Sequence, residues 1–219
     1  MRQVDEIKRM VDEFSSFARM PKPAIAQNDL GEIARQNLFM MRVAHPDIAF
    51  GFKGEGEGGT PLTAAFDIRL LSQAITNILK NAVEAVMAVP EAERGEGRVD
   101  VALLVEEGFA VIEVTDTGKG FPAEGRQRLL EPYMTTREGG TGLGLAIVSK
   151  VLEEHGGGIE LNDNPAGRGG QVRMRIPREV APREIVPAET DETPRGRHAA
   201  ATDEKGAART GPEIAEILT

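Results

Sequence analysis

The chain has no cysteine, no tryptophan and a single tyrosine among its 219 residues. Without thiols it can form no disulfide, no thiolate metal site and no cysteine nucleophile. Aromatic residues make up 4% of the chain, all of them Phe apart from that tyrosine. A core must therefore be packed from aliphatic side chains and Met. Positive charge is also scarce: 26 Lys and Arg stand against 35 Asp and Glu, a formal net charge of −9. That balance argues against a nucleic-acid partner, which is met by a basic surface. No apolar run reaches transmembrane length and no secretory leader opens the chain, so the segment itself is expected to be soluble and cytoplasmic. There is no internal repeat.

What is present is glycine, 25 residues of it, concentrated in boxes with informative flanks. Leu70, Leu71, Ala74, Ile75, Ile78, Ala82 and Val86 recur at helical spacing and predict one buried stripe. Asn77 and Asn81 share a neighbouring face of that helix, because residues four apart lie one above the other. Alone, the pair could simply face solvent. Beside a glycine-rich phosphate loop, however, a neutral amide oxygen can complete the octahedron of Mg²⁺ without adding negative charge next to phosphates, and Asn81 is placed for it.

The first box, Asp116-Thr117-Gly118-Lys119-Gly120, follows the strand-like run Val111, Ile112, Val114. A carboxylate at that strand end can accept a hydrogen bond from an exocyclic amine such as adenine's. Gly118 and Gly120 would let the backbone approach a flat base. Read by itself, Asp-Thr-Gly is equally an ordinary strand-terminal turn. The second box, Gly140-Thr141-Gly142-Leu143-Gly144, runs into the helical segment from Leu145 to Leu152. Its backbone N–H groups and the positive end of the helix dipole suit anionic oxygens. Between the boxes, residues 121–138 form a long connection that reads as a mobile lid, from which Arg137 could reach a terminal phosphate with its planar fork of donors.

These boxes, in this order and with these flanks, resemble the ATP-binding domain of sensor histidine kinases, in the wider superfamily shared with DNA gyrase, Hsp90 and MutL. The resemblance runs from about Asn28 to Pro177 and rests on Asn77-Ile78-Leu79-Lys80-Asn81-Ala82-Val83-Glu84-Ala85, the two glycine boxes and the lid segment Glu131-Pro132-Tyr133-Met134-Thr135-Thr136-Arg137. The lid wording and the opening segment Val11–Pro21 look most like nitrogen-regulation sensor kinases of the NtrY type. The resemblance implies ATP and Mg²⁺ as cofactors, with Asn77, Asn81 and Arg137 acting on the triphosphate and Asn81 holding the metal. It also implies Asp116, Gly118 and Gly120 around the base, and Thr141, Gly142, Leu143 and Gly144 in the phosphate cover. Relatives that hydrolyse ATP with water usually carry a glutamate at the position of Asn77, and an amide cannot act as general base. The phosphate is therefore expected to pass to another nucleophile, which the resemblance implies is a histidine, and then to an aspartate of a response regulator. Two departures from the pattern are Leu130, where many relatives carry Phe, and Glu84, where Lys is common.

His45, His155 and His198 lack the acidic neighbour and helical setting of a phosphoacceptor and read as structural or solvated. Residues 1–21 are read as the end of a dimerisation hairpin helix, since Val4, Ile7, Val11, Phe14 and Ala18 step by threes and fours. That helix is the candidate route to a homodimer. Residues 22–178 are read as the ATP-binding domain and residues 179–219, broken by Pro182, Pro187, Pro194 and Pro212, as a disordered tail. The expected fold is a two-layer α/β sandwich. Helices are predicted near residues 29–43, 67–88 and 142–155, and a mixed sheet is predicted from Ile48–Phe52, Leu62–Phe66, Val99–Val105, Phe109–Thr115, Gly158–Leu161 and Gln171–Ile176. Three other readings remain open: a serine kinase or ATPase of the same superfamily, which would need a base such as Glu84; a non-catalytic dimerisation or docking module; and a dimeric aspartic protease built on Asp116-Thr117-Gly118, which leaves the Asn77 and Gly140 segments unexplained.

Overall fold

Two aspartates start the two longest helices of the computed structural model, which describes residues 11, 14, 15, 18–54, 60–135 and 140–179. The side chain of Asp29 accepts hydrogen bonds from the N–H groups of Gly31 and Glu32 at 2.8 and 3.2 Å, satisfying donors that a helix start leaves orphaned. Helix α1 (Leu30–Ala44) follows, burying Leu30, Ile33, Ala34, Leu38 and Met41 on one face. It stops directly before His45-Pro46, where proline cannot continue the hydrogen-bond ladder. Asp67 caps helix α2 (Ile68–Met87) in the same way, through Arg69 and Leu70. All seven residues of the predicted stripe on α2 are buried, and Leu79 and Val83 join them.

Among the described residues, seven strands complete the frame: β1 (Ala26–Asp29), β2 (Ala49–Lys53), β3 (Thr63–Phe66), β4 (Arg98–Glu106), β5 (Phe109–Asp116), β6 (Gly158–Asp163) and β7 (Gly170–Pro177). Five of them form a mixed sheet in the order β2-β4-β5-β7-β6, with β2 parallel to β4 and the other pairs antiparallel. A short helix α3 (Glu91–Arg94), a 3-10 helix at Arg126–Leu130 and helix α4 (Gly144–Glu154) occupy the connections. The β4–β5 hairpin turns on Glu107 and Gly108, both at positive φ, as a two-residue hairpin loop requires.

Alternation fixes the layers. On β7 the residues Val172, Met174 and Ile176 point into the core, as do Val99, Val101 and Leu103 on β4. The helices α1, α2 and α4 cover that face, giving the two-layer α/β sandwich expected from the sequence. The opposite face mixes Val111 and Leu104 with charged side chains. There Arg173 pairs with Glu106, with Glu113 at 3.3 Å and with Glu160 at 3.3 Å. Burial lowers the pKa of Arg173, yet the hydrogen bond and charge of Glu106, together with Glu160 and Glu113, raise it on balance.

Two features depart from the sequence-based expectation. The predicted strand Leu62–Phe66 does not join the main sheet; β3 pairs antiparallel with β1, a strand the sequence did not signal. Ala26–Asp29 is short and polar, so it offers no period to detect, and it is held instead by the register Ala26↔Phe66 to Asp29↔Thr63. The expected lid is also more structured than a bare connection. Its 3-10 helix sinks Leu129 into the core, and Arg126 pairs with Asp163 at 2.6 Å. Of the opening helix, Val11, Phe14, Ser15 and Ala18 have helical backbone, and Val11 and Phe14 are exposed. The expected tail beyond Glu179 lies outside the described residues.

Candidate functional site

Asp67 and His155 bring α2 and α4 together. The His155 ring is buried; its Nε2 accepts the N–H of Asp67 at 3.0 Å while Nδ1 meets the Val151 carbonyl at 2.6 Å. Since Nε2 is an acceptor, the proton sits on Nδ1 and donates to Val151. The end of α4 is thereby tied to the start of α2. The Asp67 carboxylate also accepts from the N–H of Ala24 at 2.9 Å. Burial raises its pKa, but the backbone donors Ala24, Leu70 and Arg69 and the charge of Arg69 outweigh that and hold it below its ordinary value. His155 thus has the structural role anticipated for it.

Between the two tied helices opens a cleft of about 870 Å³. Helix α2 lines it with Gln73, Asn77, Lys80, Asn81, Glu84 and Ala85, and the inner face of the sheet adds Val114, Asp116 and Val172. The second glycine box and the start of α4 contribute Gly140, Thr141, Gly142, Gly144 and Leu145, and Lys119, Gly120, Phe121, Met134 and Thr135 also line it. Asn77 and Asn81 therefore face the cleft rather than bulk solvent. Asn77 Nδ2 approaches the Gly144 carbonyl at 3.5 Å, and a Cβ on Gly144 would come within 3.9 Å of Asn81 Nδ2. The amide helix and the second glycine box form one surface.

Asp116 ends β5 and is 6% exposed. Its Oδ1 accepts from the N–H of Gly118 at 2.7 Å and of Gly170 at 3.2 Å. A carboxylate fixed by two backbone donors presents acceptor capacity in a defined direction, which suits reading an amine. The second box closes on Tyr133, whose N–H donates to the Gly142 carbonyl at 3.0 Å. Gly142 is at φ +68, and a Cβ there would stand 2.5 Å from the Tyr133 carbonyl carbon, so only glycine fits. No side chain caps α4; Thr141 Oγ1 takes the Leu143 N–H at 3.3 Å.

Two sequence-predicted site residues are placed differently from expectation, and a third is not described. Gly118 does not line the cleft. Its missing Cβ would lie 2.4 Å from the Ala85 carbonyl carbon, so glycine is needed there for packing on α2, where the Lys119 N–H also donates to the Ala85 carbonyl. Leu143 is fully buried in the core. Its side chain anchors the box from behind. Arg137 lies outside the described residues. Sequence reasoning in turn predicted the two strands of the β6–β7 hairpin but missed its contacts to Asp116. Asn164 Nδ2 donates to the Asp116 carbonyl at 2.9 Å, and Gly169 packs so closely that a Cβ would fall 1.8 Å from that same oxygen. The only signal was the turn wording Asn164-Pro165-Ala166-Gly167, which announces a hairpin and nothing more.

Residues 66–180 match the family described as histidine kinase-, DNA gyrase B-, and HSP90-like ATPase. The chain belongs to that family. Within it, this is the ATPase domain of the sensor histidine kinase type. It is 55% identical over 193 residues to the nitrogen regulation protein NtrY of Azorhizobium caulinodans, an alignment covering 88% of this chain and 24% of NtrY. The chain therefore spans about a quarter of that relative's length. Among solved structures, the catalytic domain of histidine kinase ThkA superposes with a TM-score of 0.60 at 26% identity, covering 70% of this chain and 95% of that one. Full-length ShkA in complex with AMPPNP gives 0.67 at 26% identity, covering 82% of this chain and 37% of ShkA.

The fold is thus an ATP-binding one, and the donor set bears on the metal such a nucleotide carries. Among the described residues no group of three or more His, Cys, Asp or Glu is placed to hold a metal ion. Neutral amides on α2 fit an ion whose charge is met mainly by phosphate oxygens. Nor is any helix among the described residues long and apolar enough to cross a membrane.

Proposed function

We propose that the cleft binds ATP with Mg²⁺ and presents the terminal phosphate to a histidine outside this chain, from which it passes to an aspartate of a response regulator. The observation that carries the reading is the convergence of Asn77 and Asn81, Asp116 and the Thr141–Gly144 box on one cleft. In this arrangement Asp116 accepts from the adenine amine, and backbone N–H groups at the start of α4 meet the phosphates. Asn81, with Asn77 beside it, would hold Mg²⁺, which supplies charge neutralisation on the triphosphate. Arg137 is assigned to the terminal phosphate on the sequence alone. Catalysis by such a domain is mostly positioning and electrostatic stabilisation. Asn77 orients without abstracting a proton, which disfavours direct attack by water.

The exposed Val11 and Phe14 support pairing of two copies through the opening helix, and a cytoplasmic site of action follows from the ATP requirement. His155 is ruled out as an acceptor by its burial and by the hydrogen bonds at both ring nitrogens. Titration calorimetry with ATP tests the reading on the chain and on Asn81→Ala and Asp116→Ala. The expected result is Mg²⁺-dependent binding to the parent, loss of the Mg²⁺ dependence in Asn81→Ala, and roughly tenfold or more weaker binding in Asp116→Ala. Unchanged affinity in both variants would overturn it.

A further inference from the structure

The turn that follows Asp116 is held from behind by a side chain with no contact to the cleft. Arg168, on the β6–β7 hairpin, directs its guanidinium at three main-chain carbonyls: Nε donates to Thr117 at 3.2 Å, Nη1 to Glu93 at 3.1 Å and Nη2 to Arg94 at 3.3 Å. Thr117 is the residue after Asp116. Glu93 and Arg94 end α3, where helix carbonyls lack intrahelical partners. A planar fork of donors can span two separate loops, whereas an ammonium acts as a single point charge. The same hairpin holds Asp116 itself at two points, through Asn164 Nδ2 on its carbonyl and the Gly170 N–H on its carboxylate. All of these contacts fix the strand end that carries the carboxylate.

We propose that Arg168 is a positioning residue for base selection: by clamping Thr117 to the end of α3, it sets where the Asp116 carboxylate meets the exocyclic amine of a purine. The proposal rests on the nucleotide reading of the cleft. It also separates from that reading, because losing the clamp should misplace the base contact while leaving the phosphate contacts of the second glycine box in place. Loosening one polar support by a fraction of an ångström weakens a charged hydrogen bond steeply, since such bonds depend on distance and angle.

The test compares the dissociation constants of ADP and inosine diphosphate on the full chain, measured for the parent, Arg168→Met and Arg168→Lys. Inosine carries a carbonyl oxygen where adenine carries the amine, and a protonated N1 where adenine has an acceptor, so the ratio of the two constants reports recognition of that edge of the base by Asp116. The parent is expected to prefer ADP by about tenfold or more. Arg168→Met should bring the ratio close to one, with inosine diphosphate affinity nearly unchanged. Arg168→Lys, reaching one carbonyl at a time, should fall between, and it decides the matter if the methionine variant does not fold. Equal weakening of both nucleotides, or a parent-like ratio in the variants, would overturn the proposal and leave Arg168 a merely structural staple. A parent that binds neither nucleotide would instead sink the reading of the cleft, and this proposal with it.

Discussion

Replacing Asp67 separates two contributions that meet at one carboxylate. Oδ1 caps α2 through the N–H groups of Arg69 and Leu70 at 2.9 and 3.1 Å, while Oδ2 takes the N–H of Ala24 at 2.9 Å from the segment that leads into the domain. Asp67→Asn keeps an oxygen for the cap but puts an NH₂ where Ala24 needs an acceptor. It should cost about 1 kcal/mol, the typical net worth of one hydrogen bond. Asp67→Ala loses the cap as well, and the sum should reach about 2–3 kcal/mol. The pH dependence follows from the lowered pKa of this carboxyl in the folded chain. Because the unfolded chain takes up the proton first, the stabilisation is whole above the ordinary value of 3.8 and is lost as pH falls through the lower folded value. Urea denaturation of parent and variants across the acid range measures both effects. The parent's advantage over Asp67→Ala should shrink on the acid side, because the neutral carboxyl keeps only part of its acceptor capacity. An advantage that persists unchanged below that range, or an Asp67→Asn variant as unstable as Asp67→Ala, would refute the assignment of the cap and the linker bond to separate oxygens.

Other substitutions probe separate parts of the frame. Gly118→Ala places a methyl group 2.4 Å from backbone of α2, where no flexible side chain can yield; a loss of about 1–3 kcal/mol in urea denaturation is expected, and an unchanged midpoint would show that the first glycine box is not seated on Ala85. Arg173→Met leaves Glu106, Glu113 and Glu160 facing one another without their shared cation. The cost should be about 1 kcal/mol at low salt and should shrink in molar salt, so a salt-independent loss would point to packing of the arginine stem instead.

How far the chain could be read from its letters depended on whether a residue's neighbours leave a periodic trace. The stripe on α2 and the alternation on β4 and β7 were readable because each element buries one face and wets the other. Strand β1 left no trace, since Ala26–Asp29 takes its place from pairing with β3 some forty residues away, a relation no local window contains. The site divides along a similar line. Asn77, Asn81 and Asp116 were recognisable because their chemistry is in the side chain. Arg168 and Asn164 were not, because what they hold is main-chain carbonyl, and a carbonyl is identical in every residue that could offer it. Gly118 and Leu143 show the complementary error. Reading a whole box as ligand-facing ignores that a loop must also be fastened, so the residues that fasten it have to alternate with those that face the cleft. Leu143 is buried between Gly142 and Gly144, both of which line the cleft. A box of small residues without such an anchor would have no reason to hold its N–H groups in one direction, and the leucine is therefore as necessary to the arrangement as the glycines around it.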